Sequence, residues 1–186
     1  MNKKEFTIKY SDLYTSNDII YDLMNIEKDV YEEKDRGQFD SIEKRFNKNK
    51  EMFVLLYHKD EIIGYLCYFP ITKKLHDKIM ASDVFYDDNI EPEDVLSYGK
   101  ENYIYFISIA LYKEYQGYGL GTKMMDAFIK KLKDKNNSGY KIKDVLASTV
   151  TKQGEEISKK YGFNLLSDKS NKYGFKLMYL KGDKLC

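Results

Sequence analysis

Apolar residues recur with strand-like and then helix-like spacing in the first part of the chain. The segment FTIKY at 6–10 alternates apolar and polar side chains, as a strand with one buried face does. Ser16 or Asn17 is then placed to cap a helix that begins at Asp18 and continues with apolar residues at helical spacing. Charged, helix-compatible sequence follows, so this part is expected to give one strand and two helices.

Later segments continue the alternation. Two apolar runs flank the polar tetrapeptide HKDE at 58–61 and predict a β-hairpin. Pro70 is expected to end the second strand of this hairpin, because proline has no N–H to donate to a ladder. The uncharged run YIYFISIAL at 103–111 predicts a central strand that is covered on both faces. The elements after it are a helix in 122–135, a strand at 142–150, a helix at 151–162 with Thr151 as its N-cap, and a final strand at 173–180.

Residues 72–102 interrupt this pattern. They begin as a short helix-compatible segment and then become acidic. The acidic part, 83–94, contains Asp83, Asp87, Asp88, Glu91, Glu93 and Asp94. A solvated loop explains such a stretch. An insertion beside a binding site explains it equally well, since long loops in small domains often carry function.

Length and charge limit the classes of protein that fit. The 186 residues suit one domain, here 1–186, with 72–102 as an insertion before the central strand. The 31 basic and 30 acidic side chains give a net charge of +1, so no global charge favours nucleic acid or an anionic membrane. No apolar run approaches the ~18 residues of a spanning helix. The N-terminus lacks the apolar core of a secretory signal, so a cytoplasmic location is expected.

Cysteine and histidine offer little chemistry. The two cysteines, Cys67 and Cys186, are too few and too far apart to build a metal site, so no metal is expected. His76 falls in a polar helix-compatible segment and is expected to be solvated rather than catalytic.

The segment YQGYGLGT at 115–122 carries the clearest chemical signal. Gly117, Gly119 and Gly121 stand between the central strand and an apolar helix. The first turn of a helix presents N–H groups without partners, and glycines allow positive φ and close approach of an anion. Thr122 adds another N–H and a hydroxyl. The turn is therefore predicted to hold a phosphate.

Two common phosphate motifs do not match this turn. A dinucleotide fingerprint needs a glycine where Thr122 stands, and it follows its strand directly, whereas YKEYQ intervenes here. A P-loop needs Gly-Lys-Ser/Thr at the helix start, and this chain reads GTK. A purely structural turn is the remaining alternative.

The wider segment ISIALYKEYQGYGLGTKMM at 107–125 resembles the acyl-CoA-binding signature of the GNAT acetyltransferase superfamily. That signature, Gln/Arg-x-x-Gly-x-Gly/Ala, falls on Gln116, Gly119 and Gly121. The order of the predicted elements agrees from start to end, and YGF at 161–163 resembles the Gly-Phe that closes the family's last helix. The resemblance implies an α/β (α+β) fold: a mixed, mostly antiparallel central sheet flanked by helices, with splayed central strands.

The resemblance also implies acetyl-CoA as the co-substrate. Backbone groups of the central strand would pair with the pantetheine arm, and N–H groups of the glycine turn would hold the pyrophosphate. The residues implied for the cofactor are Ile109, Ala110, Leu111, Gln116, Gly117, Tyr118, Gly119, Leu120, Gly121 and Thr122, together with Thr151, which stands where many relatives have asparagine.

For catalysis, the resemblance implies direct attack of an unprotonated primary amine on the thioester, without an acyl-enzyme. A strand N–H near Ile109 would stabilise the developing oxyanion. Many relatives protonate the leaving thiolate with a tyrosine four residues before the Gly-Phe glycine, and Ser158 occupies that position here. The proton acceptor is left open between Glu101, just before the uncharged run of the central strand, and Tyr105 and Ser108 within it.

The acceptor is expected to be a small-molecule or peptide amine. The acidic run at 83–94 favours a cationic one, because clustered carboxylates raise the local concentration of cations. No nucleic acid or membrane partner is expected, and a homodimer is left open. Two rival functions also stay open: a module that binds acyl-CoA without turnover, and a dinucleotide-binding oxidoreductase, which the glycine spacing disfavours.

Overall fold

The computed structural model describes residues 6–13, 16–81, 90–166 and 174–185. The strands are β1 (Phe6–Tyr10), β2 (Phe53–His58), β3 (Glu61–Ile71), β4 (Glu101–Leu111), β5 (Lys141–Thr149), β6 (Asn164–Leu165) and β7 (Lys176–Lys181). The helices are α1 (Ile19–Val30), α2 (Phe39–Lys48), α3 (Lys73–Ala81), α4 (Leu120–Asn137) and α5 (Lys152–Lys160). Apart from the short β6, this order matches the elements predicted from the sequence.

The strands form one mixed sheet. Within the described ranges the sheet has seven strands in the order β1-β2-β3-β4-β5-β7-β6. β4 and β5 are parallel, and every other neighbouring pair is antiparallel. The predicted fold class, a mostly antiparallel α/β sheet flanked by helices, is therefore confirmed.

Helices cover both faces of the sheet, and their apolar spacing decides which side each helix turns inward. On one face, α1 buries Ile20 and Ile26, neither of which is exposed. On the opposite face, α4 buries Phe128 and Leu132 completely. Each such side chain contributes about 1.5–3 kcal/mol by leaving water. Because both faces are covered, the central strands tolerate few charges.

A bulge in β4 separates the two central strands. Cys67 of β3 lies opposite Ser108, and the next residue of β3 lies opposite Phe106, so Ile107 is the extra residue on β4. A bulge bends the strand that carries it. Pairing of β4 with β5 ends at Phe106 and Ala147. Beyond the bulge, β4 continues along β3 and diverges from β5, which opens the sheet at its centre.

The ends of α5 follow the predicted capping residues. The Thr151 hydroxyl accepts a hydrogen bond from the N–H of Gly154 at 3.0 Å, as an N-cap does. Gly162 follows the helix with a φ of +86°, a left-handed conformation that glycine adopts without strain. These contacts fix where α5 begins and ends beside β5.

The prediction for Pro70 is wrong, because β3 runs through it to Ile71. β2 runs antiparallel to β3, and its first residue, Phe53, pairs with Cys67. β2 therefore does not extend alongside Pro70. The space beside Pro70 is taken by a loop whose Leu96 N–H donates to the Pro70 carbonyl at 2.9 Å. No strand requires an N–H from residue 70, so proline is accommodated.

The prediction for His76 is also wrong. Its side chain is 7% exposed and stacks on the ring of Tyr103, with the ring centroids 4.3 Å apart. Its ring nitrogens lie 3.1 Å from Asp77 and 3.3 Å from Asp144. The polar neighbours of His76 on α3 concealed that its own face packs on the sheet. No helix in the described ranges is both long and apolar enough to cross a membrane.

Candidate functional site

Beyond its bulge, β4 offers an unpaired backbone edge. The N–H of Tyr112 donates to the Ile63 carbonyl at 3.1 Å, so the backbone groups of Ala110, two residues earlier, also face β3. The groups of Ile109 and Leu111 consequently face the other way, where β5 has already diverged. Their N–H groups point into the gap between the two strands.

Two side chains hold the carbonyls of this edge. The Tyr31 hydroxyl, at the end of α1, donates to the Ile109 carbonyl at 3.0 Å. The Gln116 side-chain amide donates to the Leu111 carbonyl at 3.0 Å. Gln116 thereby fixes the glycine turn against the end of β4.

The glycine turn presents backbone N–H groups to open space. Gly117 and Gly119 have φ values of +84° and +74°, and a Cβ added to either would meet no atom within 4 Å. The hydrogen bonds of α4 begin with the Lys123 N–H, which donates to the Gly119 carbonyl at 3.2 Å. The N–H groups of Leu120 and Gly121, with that of Thr122, precede this first bond. The turn therefore combines free donors with the positive end of a helix, which suits an anion.

Gly121 has a different role from the other two glycines. Its φ is ordinary, and a Cβ there would approach Ile157 of α5 at 3.5 Å. Nearby, the Tyr161 hydroxyl lies 3.0 Å from the Thr122 carbonyl oxygen and 2.5 Å from an Asp126 carboxylate oxygen, and these two acceptors share its single proton. The distance of 3.5 Å from Ile157 is an ordinary van der Waals contact, so Gly121 is not required for the packing of α5, whereas Tyr161 connects the end of α5 to the first turns of α4.

A narrow cleft of about 80 Å³ occupies the gap between β4 and β5. It runs from Ile107 and Ile109 on β4 to Thr151, the N-cap of α5, and Ser158 on that helix. Ser158 is 1% exposed, and its hydroxyl has no hydrogen-bond partner among the described residues. Leaving a buried hydroxyl unpaired costs about 1–3 kcal/mol. A ligand atom in the cleft would give Ser158 the missing partner.

A larger cavity of about 370 Å³ lies between the sheet and the α1–α2 face. It shares five lining residues with the cleft, namely Tyr31, Ile107, Ser108, Val150 and Thr151. The cavity and the cleft therefore meet at the β4 bulge. Together they form two compartments joined at one point, an arrangement that suits a reaction between two bound molecules.

A buried carboxylate, Glu27 of α1, lines the larger cavity. Glu27 is 7% exposed and accepts hydrogen bonds from the Tyr65 hydroxyl at 2.5 Å and from the Gly37 N–H at 2.7 Å. Burial raises the pKa of Glu27 above its ordinary value, while the bonds from Tyr65 and Gly37 and the charges of Arg45 and Arg36 act in the opposite direction. Burial also raises the pKa of Tyr65 well above its ordinary value, and the charge of Glu27 adds to that shift. At neutral pH Tyr65 is thus the donor and Glu27 the acceptor.

Comparison of the sequence with models of protein families shows which family the chain belongs to. The model of the acetyltransferase (GNAT) family matches residues 19–153, which include the open edge of β4 and the glycine turn. This chain belongs to the GNAT acetyltransferase family. A search of curated protein sequences finds no match.

Solved structures share the GNAT fold at low sequence identity. The loading GNATL domain of CurA from Lyngbya majuscula is 12% identical, with 96% of this chain and 98% of that chain covered and a TM-score of 0.73. Naa50 from Arabidopsis thaliana, in complex with the bisubstrate analogue CoA-Ac-MVNAL, is 11% identical, with coverages of 95% and 99% and a TM-score of 0.61. The GphF GNAT-like decarboxylase in complex with isobutyryl-CoA is 8% identical, with coverages of 95% and 99% and a TM-score of 0.70.

The structure brings most of the predicted site residues of this GNAT protein together. Ser108, Ile109, Thr151 and Ser158 surround the cleft, and the glycine turn lies at the end of β4. Among the residues implied for the cofactor, Ala110 is the exception, because its backbone groups are directed at β3 rather than at the gap. The exposed side chains of the turn include that of Tyr118, which is 53% exposed.

Glu101 is not brought to the cleft. It begins β4, pairs with Lys141 of β5, and forms an exposed ion pair with Lys143 at 3.1 Å. At ~3.3 Å per residue, seven residues of strand put it about 20 Å from Ser108. Glu101 has no geometric basis for a role at the reacting atoms.

The described part of the acidic run also lies away from the cavity. Asp83, Asp87 and Asp88 fall outside the described residues. The turn at Pro92–Asp94 lies next to Thr72, whose hydroxyl donates to Asp94 at 2.8 Å. This end of β3 pairs with the beginning of β4, at the opposite end of the strands from the bulge. Neither cavity is lined by Glu91, Glu93 or Asp94.

Sequence reasoning missed Glu27 and its partner Tyr65. One signal was present: Glu27 follows Leu23 by four residues and Ile26 by one, so it falls on the apolar face of α1. A carboxylate on an apolar helix face needs a buried partner. The partner itself is 38 residues away on β3, and no local pattern connects the two. Among the described residues, no group of three or more His, Cys, Asp or Glu side chains is arranged to hold a metal.

Proposed function

We propose that this GNAT protein is an N-acetyltransferase that moves an acetyl group from acetyl-CoA to a primary amine in a ternary complex. One observation carries the proposal: the open edge of β4 leads directly to the glycine turn of α4, and a second cavity meets this edge at the bulge. A long donor with a thioester at one end and a pyrophosphate further along fits the path from the open edge of β4 to the glycine turn. The second cavity is available to the acceptor.

The donor is assigned by matching its chemistry to backbone groups. The N–H of Leu111, on the open edge of β4, pairs with a pantetheine carbonyl as it would with a carbonyl of an additional strand. The pyrophosphate is held by N–H groups between Gly117 and Thr122, with the α4 dipole behind them. The Naa50 complex contains a CoA-based bisubstrate analogue and shares the fold, which supports a CoA-based donor.

The acetyl group then lies where cleft and cavity meet. The amine attacks the thioester carbonyl from the cavity side, forming the C–N bond, and the carbonyl oxygen gains negative charge that the Ile109 N–H stabilises. The C–S bond breaks, and the sulfur takes up a proton to leave as the CoA thiol. Ser158, whose hydroxyl has no protein partner among the described residues, hydrogen-bonds to that sulfur.

The acceptor needs one ammonium group and no further positive charge. The charged residues that line the larger cavity are Glu27, Glu32, Asp35, Lys34, Arg36 and Arg45. Their formal charges balance. Both a small-molecule amine and a peptide amine are therefore compatible with the cavity, and a polycation is not required.

A thermal-shift panel of acetyl-CoA, CoA, NAD and ATP tests the donor. A ligand at a hundred times its Kd stabilises a protein by about 2.7 kcal/mol, so acetyl-CoA and CoA are expected to raise the Tm and NAD is not. Stabilisation by NAD without stabilisation by CoA would overturn the proposal.

Thiol release from acetyl-CoA, measured across a library of amines, tests turnover. Release that depends on the amine is expected. The alternative function is an acyl-CoA-binding module without turnover, favoured by a serine at the position of the family's tyrosine. Stabilisation by CoA combined with no release for any amine would support that alternative.

A further inference from the structure

Ser108 lies where the cleft and the larger cavity meet. It is also next to a buried hydrogen-bonded pair, Tyr65 and Glu27. It lines the cleft proposed for the thioester and the cavity proposed for the amine. Its Oγ lies 3.5 Å from the hydroxyl of Tyr65, which lines the same cavity as Glu27. This separation is long for two hydroxyls. Hydrogen bonds in catalytic sites often shorten only when substrates are bound.

The chain of hydroxyls ends at a carboxylate. Ser108 donates to Tyr65, and Tyr65 donates to Glu27 at 2.5 Å. The second carboxylate oxygen of Glu27 is held by the Gly37 N–H at 2.7 Å. Tyr65 is 2% exposed and Glu27 is 7% exposed, so solvent has little direct access to this chain. In both hydrogen bonds between these side chains, the donor lies on the Ser108 side and the acceptor on the Glu27 side.

This arrangement supplies what the proposed reaction lacks. A primary amine with a pKa near that of lysine, about 10.4, is almost entirely protonated at pH 7. It must lose a proton before it can attack. Three carboxylates in the described ranges line the larger cavity, namely Glu27, Glu32 and Asp35. Glu27 reaches Ser108 of β4 through the Tyr65 hydroxyl. Glu32 instead forms an exposed ion pair with Lys34. The raised pKa of Glu27, caused mainly by burial, makes it a stronger base than an exposed glutamate.

We propose that Ser108, Tyr65 and Glu27 relay a proton from the acceptor ammonium group, an inference that rests on the proposed N-acetyltransferase function. The ammonium gives one proton to Ser108 Oγ, Ser108 gives its own to Tyr65 Oη, and Tyr65 gives its own to Glu27. Both hydroxyls are restored, and Glu27 ends as a carboxylic acid that later returns the proton to solvent. The amine, now neutral, attacks the thioester. A second nitrogen proton leaves with the CoA sulfur, so the products are an amide, CoA thiol and one released proton.

The charged and titratable groups that face Glu27 come from several elements. They are Tyr65 from β3, Arg45 from α2, Arg36 from the loop after α1, and Tyr31 at the end of α1. Among these described groups, only Tyr65 is hydrogen-bonded both to Glu27 and to Ser108. Removing Glu27 or Tyr65 thus interrupts the same path at two places.

The test is the pH dependence of kcat/KM for wild type and for Glu27→Gln, Tyr65→Phe and Ser108→Ala. At pH 7, Glu27→Gln is expected to lower kcat/KM by about 10²-fold, the lower end of what a positioned base contributes. The loss shrinks as the pH approaches the pKa of the amine, because the amine then arrives unprotonated. It is also smaller for an α-amine, with a pKa of about 8, than for a lysine-like amine. Tyr65→Phe is expected to show the same pH-dependent rescue, so a folding defect in one variant leaves the other as a test.

Glu33→Gln is the matched control, since Glu33 is exposed and lines neither cavity. It is expected to keep the wild-type profile. A loss in Glu27→Gln that is equal at every pH, or unchanged kcat/KM in a folded variant that still binds CoA, would overturn the relay and leave the proposed function intact. Absence of amine-dependent thiol release in the wild type would overturn the proposed function and the relay with it.

Discussion

At the scale of single residues, the proposed binding of the donor depends on the left-handed backbone conformation of the glycines in the turn. Gly119 has a φ of +74° and open space where a Cβ would lie. Gly119→Ala is expected to lower stability by about 1–2 kcal/mol, the cost of a left-handed backbone for an L-residue. It is also expected to weaken CoA binding, because strain at residue 119 shifts the N–H groups that follow it. Denaturant unfolding and calorimetric titration with CoA measure the two effects.

Gly139, just after the other end of α4, provides the control. Its φ is +91° and its Cβ position is equally open, so Gly139→Ala carries the same strain far from the turn. It is expected to lose similar stability and to keep the CoA affinity of the wild type. Equal CoA affinity in both variants would contradict the assignment of the pyrophosphate to the turn.

Ser158 is the second residue whose role can be isolated. Its buried hydroxyl has no hydrogen-bond partner in the described part of the chain, so Ser158→Ala removes no protein contact and is expected to leave the Tm unchanged or higher. If the hydroxyl supports the leaving sulfur, kcat falls by about tenfold while KM changes little, since the bond matters only as charge develops. Steady-state kinetics with saturating acetyl-CoA measure this. An unaltered kcat would exclude Ser158 from the chemistry.

At the scale of elements, Glu155 links α5 to the sheet beneath it. Its carboxylate contacts Lys159 on the same helix and Lys176 of β7, the latter at 2.9 Å. Hydrogen bonds from these two lysines lower the pKa of Glu155 to about 2, from an ordinary value of 4.5. A depressed pKa stabilises the fold above the ordinary value, and the contribution is lost as the pH falls from about 4.5 toward about 2.

Glu155→Gln is therefore expected to lower the Tm at pH 7, with a difference from wild type that narrows below pH 4.5. Glu156→Gln is the control, because Glu156 has only an exposed contact of 3.7 Å with Lys152 on the same helix. Thermal unfolding at a series of pH values measures both variants. A difference that stays constant with pH would show that the ion pairs of Glu155 do not anchor α5.

The elements were predictable where their signals are local. The N-cap Thr151, the closing Gly162 and the uncharged run of β4 each depend on a few neighbouring residues, and each is where the sequence indicated. Pro70 misled because its tolerance depends on where β2 ends, which is a property of the sheet rather than of the segment. β6 has only two residues, Asn164–Leu165, too few for a periodic pattern.

At the scale of the whole molecule, the proposed donor site follows from the sequence, whereas the proposed proton route does not. The glycine turn and the end of β4 are contiguous in sequence, so their chemistry could be read together. Ser108, Tyr65 and Glu27 come from three elements, and each pair is separated by 38 residues or more. Only the packing of α1 on the sheet brings Glu27 to Tyr65. The larger cavity arises in the same way, from segments that are distant in the chain.

The most direct test of the central claim is to count CoA thiol and N-acetylated amine in the same reaction with acetyl-CoA. The proposed function predicts equal amounts of the two, a rate that rises with amine concentration until saturation, and no acetyl group on the protein by intact mass. Thiol release that is independent of the amine, or acetylated protein that precedes the product, would contradict direct transfer between the two compartments.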